Sequence, residues 1–184
     1  RDVTGVQTCA LPIWYVVGAK VYLVDASGNK TDTGVVTDSL GKFSIQNPHS
    51  YVIQIEEGTN ADTGLANTVI LRAPGIASGD MVVTPLTTVI QSMLASDTTL
   101  TLAQAETKLQ SVLGINGDID LLKLDSVASA NVEVQKAAVQ IATALSLVTN
   151  STEAEDVLND FAATINLTSS TSTINLSTSL IASL

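Results

Sequence analysis

Thiols are almost missing from this chain: there is one cysteine, Cys9. A single thiol makes no intrachain disulfide and no zinc-thiolate set. Histidine is as scarce, so any triad or imidazole acid-base scheme would have to use His49. Cationic side chains are few: eight Lys and Arg against eighteen Asp and Glu give a net charge of -10. Such a balance disfavours nucleic-acid binding, whose affinity rests largely on cationic neutralisation of phosphates. Aromatics make up 3% of the residues against 45% hydrophobic. The core must therefore come mainly from Val, Leu, Ile and Ala, which suits a regular scaffold better than an aromatic-lined pocket. No apolar run reaches the roughly 18–20 residues that span a bilayer; the longest, Ile141 to Val148, is broken by Thr143 and Ser146.

The first thirteen residues, RDVTGVQTCALPI, resemble the conceptual translation of a short-read sequencing adapter, and such scars are removed before fold reasoning. The expectation is that authentic protein begins near Trp14 and that Val3 to Leu11 fill a strand position without belonging to it. Without Arg1 and Asp2 the balance is seven basic to seventeen acidic residues, still -10, and no cysteine remains. Cysteine-free acidic chains rich in Thr, Ser, Asn, Ala and Gly are common among secreted bacterial surface proteins.

From Val17 to Val83 the apolar period is two. Ala19, Val21 and Leu23 share one strand face and Lys20, Tyr22 and Val24 the other. The Asp25 to Asn29 run supplies a turn, Val35 to Thr37 resumes the strand, Asp38 to Gly41 turns again, and Phe43 and Ile45 return, which predicts a β-meander. YVIQIEEG from Tyr51 predicts a fourth strand, TVILRAP a fifth ended by Pro74, and Met81 to Val83 a short sixth. The period then switches. Thr84-Pro85 opens a helix with Leu86, Val89, Ile90, Met93 and Leu94 on one stripe. Thr101 and Gln104 form a capping box for a second helix, stopped by Gly114. A third is predicted from Val132 to Thr149, and a fourth after Thr152, boxed by Glu155. Four amphipathic helices with short connections predict an antiparallel bundle. The tail, with INLTS at Ile165 and INLST at Ile174, reads as a Ser/Thr-rich linker leading to a further helix.

GAKVYLVDASGN, TGVVTDSLGKFSI and YVIQIEEG, in that order over residues 17–57, resemble the carboxypeptidase regulatory-like, prealbumin-like β-sandwich family. The shared residues are Gly18-Ala19, Asp25 and Gly28, Thr37-Asp38 with Gly41 and Phe43, and Tyr51. Pro48-His49-Ser50 departs from the Pro-Gly turn usual before that Tyr. The helical half is similar to segments that follow such modules in large bacterial secreted or surface proteins, through Thr84 to Thr88, Leu113-Gly114, Asp118, Asp120-Leu121 and Asp125. The resemblance implies a stalk, adhesion or accessory module and no peptidase activity.

Candidate chemistry is sparse. His49 follows a proline in a turn and reads as solvated. Asp25, Ser27, Asn29, Thr31 and Asp32 begin like a calcium loop, but Lys30 stands where Gly is needed and Val36 where the bidentate Glu belongs. Asp118, Asp120 and Asp125 are a second oxygen cluster, read as turn caps. Glu56-Glu57 and Glu153, Glu155, Asp156 would need a sugar-binding cleft to act as a glycosidase couple, and read as solvated faces. The sequons at Asn29, Asn150, Asn166 and Asn175 are expected by chance. No catalytic, cofactor or metal residue is therefore assigned.

The sequence predicts an α+β chain. Residues 1–13 are the adapter-like segment, 14–83 a prealbumin/Ig-like antiparallel β-sandwich, 84–165 a helical bundle, and 166–184 the linker and a truncated helix. The function expected is that of a non-catalytic structural or adhesive module of a bacterial cell-surface or secreted protein. Its expected partners are neighbouring domains of a longer chain and a surface glycan or protein. The alternative is an accessory domain of a secreted hydrolase, placing it or binding carbohydrate. An N-terminal extension of an outer-membrane transporter is disfavoured by the helices.

Overall fold

Eight short strands and four amphipathic helices follow one another in a computed structural model that describes residues 5–7, 15–46, 48–76, 81–117, 119–147 and 151–167. The strands are β1 (Gly5–Gln7), β2 (Val16–Val17), β3 (Lys20–Val24), β4 (Lys30–Val36), β5 (Lys42–Ser44), β6 (Val52–Glu56), β7 (Thr59–Asn60) and β8 (Leu71–Pro74). The helices are α1 (Pro85–Ser96), α2 (Leu102–Leu113), α3 (Val132–Leu147) and α4 (Ser151–Leu167). Among the described residues, no helix is long and apolar enough to cross a membrane.

The principal sheet has the order β4-β3-β6-β8 and every pairing in it is antiparallel. Val21, Ile55 and Leu71 lie in one cross-strand row and Leu23, Ile53 and Ala73 in the next. All of these but Leu23 are fully buried, so one face of the sheet is core. The expected meander is only partly formed. β3 and β4 make its hairpin, with the strand resuming at Lys30 rather than Val35, whereas β5 pairs with β1 through Gly5↔Ser44, Val6↔Phe43 and Gln7↔Lys42. The Asp38 turn sends the chain out of the main sheet: the Asp38 carboxylate accepts from the Leu40 and Lys42 amides at 2.8 and 2.9 Å, and its N–H donates to the Lys42 carbonyl. A third small sheet joins β2 to β7. Met81 to Val83 does not form a sixth strand; all three residues are buried, and the Val82 N–H donates to the Leu122 carbonyl at 2.7 Å.

Helix boundaries follow their caps. Thr84 and Thr87 box the start of α1 with Pro85 at its first position, and Thr101 with Gln104 boxes α2, which ends at Gly114 in the left-handed conformation. The Asn131 side chain accepts from the Val134 amide at the start of α3. α4 begins at Ser151, so Thr152 lies inside the helix, and Glu155 reaches the β-sheet through Arg72. Residues 148–150, where α3 was expected to end, and the 168–184 tail lie outside the described residues.

Helix α1 is the centre of the molecule. It is buried nearly all round and packs against β8, α4, α2 and α3. One continuous cluster of buried side chains runs from Val16, Val21 and Ile55 through Leu86 and Ile90 to Ile141, Leu145 and Phe161. Sheets and helices thus share a single core.

Candidate binding cleft

The second face of the main sheet is polar where it meets the helices. Register places Tyr22, Gln54 and Arg72 in one row across β3, β6 and β8. The Lys30 ammonium lies 2.7 and 3.0 Å from the two carboxylate oxygens of Glu56 and 4.3 Å from the centre of the Tyr22 ring. The Gln54 amide donates to Glu56 Oε1, and its Oε1 accepts from Arg72 Nε at 2.7 Å. Arg72 Nη2 then meets Glu155 Oε1 of α4 at 2.5 Å. A polar chain, Lys30, Glu56, Gln54, Arg72, Glu155, therefore crosses the sheet and ties it to α4. Each cation is matched by a carboxylate, so the row is locally neutral in a strongly acidic protein.

Arg72 is also held by its backbone. It sits on the outer edge of β8, where its N–H and C=O have no strand partner among the described residues. The Thr88 hydroxyl accepts from that N–H at 2.9 Å while donating to the Thr84 carbonyl at 2.7 Å, and the Thr87 hydroxyl donates to the Arg72 carbonyl at 3.0 Å. Thus the first turn of α1 closes the sheet edge, which would otherwise invite strand addition.

Beside this row lies a cleft of about 470 Å³, within the size range of small-molecule sites. Its sheet side is formed by Val24, Gly28, Lys30, Val52, Gln54 and Arg72, and its helix side by Gln91, Ser92 and Ala95 of α1 with Asn159 of α4. Sequence reading missed all of these as site residues. One signal was present: Arg72 is the only arginine apart from Arg1, and it interrupts the apolar TVILRAP run.

The residues weighed for chemistry from sequence are dispersed. His49 is exposed in a single 3₁₀ turn, Pro48–Ser50. Asp25 closes its own hairpin, accepting from the Ser27 and Asn29 amides and from the Asn29 side chain at 2.8–2.9 Å. These bonds, the one to the Asn29 side chain foremost, hold its carboxyl below the usual carboxylate range. Asp32 accepts from the Gly34 amide at 2.8 Å. Asp120 accepts from the Leu122 amide and pairs with Lys123, while Asp125 accepts from the Val127 and Ala128 amides and from the Tyr15 hydroxyl. Asp118 lies outside the described residues. Among those described, no three His, Cys, Asp or Glu side chains are grouped to hold a metal ion. Glu56 and Glu155 serve the charged row, Glu57 pairs with Lys20 at 2.8 Å, and Glu153 and Asp156 are exposed on α4. Of the sequons, Asn29 is in the hairpin turn, while the Asn166 amide donates to Met93 O and Ser96 Oγ. Asn150 and Asn175 fall outside the described residues.

The described residues form a mixed fold of antiparallel sheets and four helices, with a polar seam where the two meet. No family model, curated protein or solved structure matches the chain.

Proposed function

We propose that this chain is a non-catalytic structural or adhesive module of a bacterial cell-surface or secreted protein, its strands forming a prealbumin-like sandwich that acts as one body with the helices. The observation that carries the reading is the shared core, reinforced by the Arg72 junction, in which one residue is tied to β6, to α1 and to α4. A spacer that transmits position or load between neighbouring domains needs its sheet and helices to resist separation, and this junction opposes it. The family resemblance over residues 17–57 supports the surface setting. Pulling the chain between its ends in a single-molecule force experiment is the test. A single unfolding event is expected; separate release of helices and strands at different forces would sink the spacer reading.

A second reading, the carbohydrate-binding accessory domain of a secreted hydrolase, is favoured by the cleft beside the charged row. Its measure is affinity for soluble glycans, with binding expected in the micromolar to millimolar range, about -8 to -4 kcal/mol.

A further inference from the structure

We infer that the cleft between the main sheet and helices α1 and α4 is a binding site for a neutral, hydroxyl-rich ligand the size of a disaccharide. The inference rests on the accessory-domain reading and assigns it a place in the fold. The two walls of the cleft differ in what they leave free. On the sheet side Lys30, Gln54 and Arg72 are engaged with one another through Glu56, and with Glu155. On the helix side Gln91, Ser92 and Asn159 face the same space, and among the described residues their side chains make no hydrogen bond. Two amides and a hydroxyl offer donors and acceptors in equal measure and no charge.

That inventory selects the ligand class. An anion would have to pull Lys30 or Arg72 from a carboxylate it already holds at 2.5–3.0 Å, in a protein of net charge -10. A cation would compete with those same bases for Glu56 and Glu155. A purely apolar ligand would strip water from Gln91 and Ser92, giving nothing back for the lost hydrogen bonds. A sugar satisfies all three conditions. Its hydroxyls match groups that both donate and accept, and its C–H faces lie on Val24, Val52 and Ala95. The volume, about 470 Å³, is ample for such a ligand.

Titrating the full chain with maltose, cellobiose and lactose, followed by ¹H–¹⁵N spectra, is the experiment. The Gln91 and Asn159 side-chain amide signals are expected to shift with at least one of the three sugars. Gluconate and glucosamine, as charged counterparts, are expected to leave them in place. Asn159 and Ala95 are both exposed, so Asn159→Ala and Ala95→Trp leave the core intact. The first should weaken binding about three- to tenfold by removing one hydrogen-bonding group, and the second should abolish it by filling the cleft. A sugar that binds equally well to Ala95→Trp overturns the site while leaving the accessory-domain reading standing. Absence of any shift with all three sugars overturns both, and a preference for either charged compound overturns the ligand class.

Discussion

Thr37 holds two backbone groups of the strand entry at once. Its buried hydroxyl donates to the Val16 carbonyl at 2.6 Å and accepts from the Ala19 amide at 2.9 Å. Thr37→Val keeps the shape and orphans both, so it should lower unfolding stability by about 1–3 kcal/mol, read as a shift in the urea midpoint at constant slope. Glycines at this scale separate by surroundings. A Cβ on Gly75 would lie 1.8 Å from the Pro48 carbonyl oxygen, a backbone atom that no rotamer change moves aside, whereas at Gly28 it would meet open space. Gly28 has φ +81, so Gly28→Ala should cost only the left-handed penalty of about 1–2 kcal/mol, while Gly75→Ala, which forces the Pro48 backbone to shift, should lower the urea midpoint further on the same denaturation curve. Sequence pointed to Gly28, because a turn residue after Asp25 announces itself. Gly75 was silent, since its reason for being small lies in a turn far back along the chain.

Connections are set by carboxylates. Asp25 closes β3–β4, Asp38 turns the chain between β4 and β5, and Asp97 follows α1, accepting from the Thr99 amide and hydroxyl. Each has a carboxyl held below its ordinary value, chiefly by hydrogen bonds from Asn29, Lys42 and Thr99 respectively. A group whose folded pKa is depressed contributes stability above its unfolded value, near 3.9, and loses that contribution as pH falls through the folded value. Stability should therefore drop as the solution is acidified below about pH 4. The D25N/D38N/D97N variant should show a shallower acid loss in thermal melts from pH 5 to 2. The edge of β8 makes a parallel case among uncharged groups. Thr88→Val removes the hydroxyl that covers the Arg72 N–H and should cost about 1–3 kcal/mol; Thr107→Val, on the exposed face of α2, should change little. The first two helices were legible because each carries its own start signal: Thr84, Thr101 and the apolar stripes behind them needed no knowledge of neighbours. Strand content was legible too, but strand partnership was not. β5 alternates as a third meander strand would but lies outside the main sheet, paired with β1 inside the adapter-like residues 1–13, where a filled strand position was expected. Glu155 holds a partner no local pattern records, since its carboxylate answers an arginine 83 residues away.

The whole molecule depends on whether the sheet and the helices unfold together. The Arg72–Glu155 pair is too exposed to decide this, with side chains 25% and 41% accessible. A double-mutant cycle on R72M and E155Q should return a coupling below about 1 kcal/mol. Arg72→Met alone should cost more than that coupling, because Gln54 loses its Nε partner and the buried stem is replaced. The shared core is the stronger link. Phe161 of α4 is fully buried in the same cluster as Ile53, Ile55 and Leu71 of the sheet. Phe161→Ala should remove about 3–5 kcal/mol, a large part of the 5–15 kcal/mol typical of a folded domain. If the two halves unfold together, amide exchange must quicken in β6 and β8 by the same factor as in α1 and α4, although Phe161 lies in a helix. If they merely touched, protection would fall in the helices and stay at its wild-type level in the sheet. Hydrogen exchange on Phe161→Ala separates the two cases, and the continuous core predicts the first.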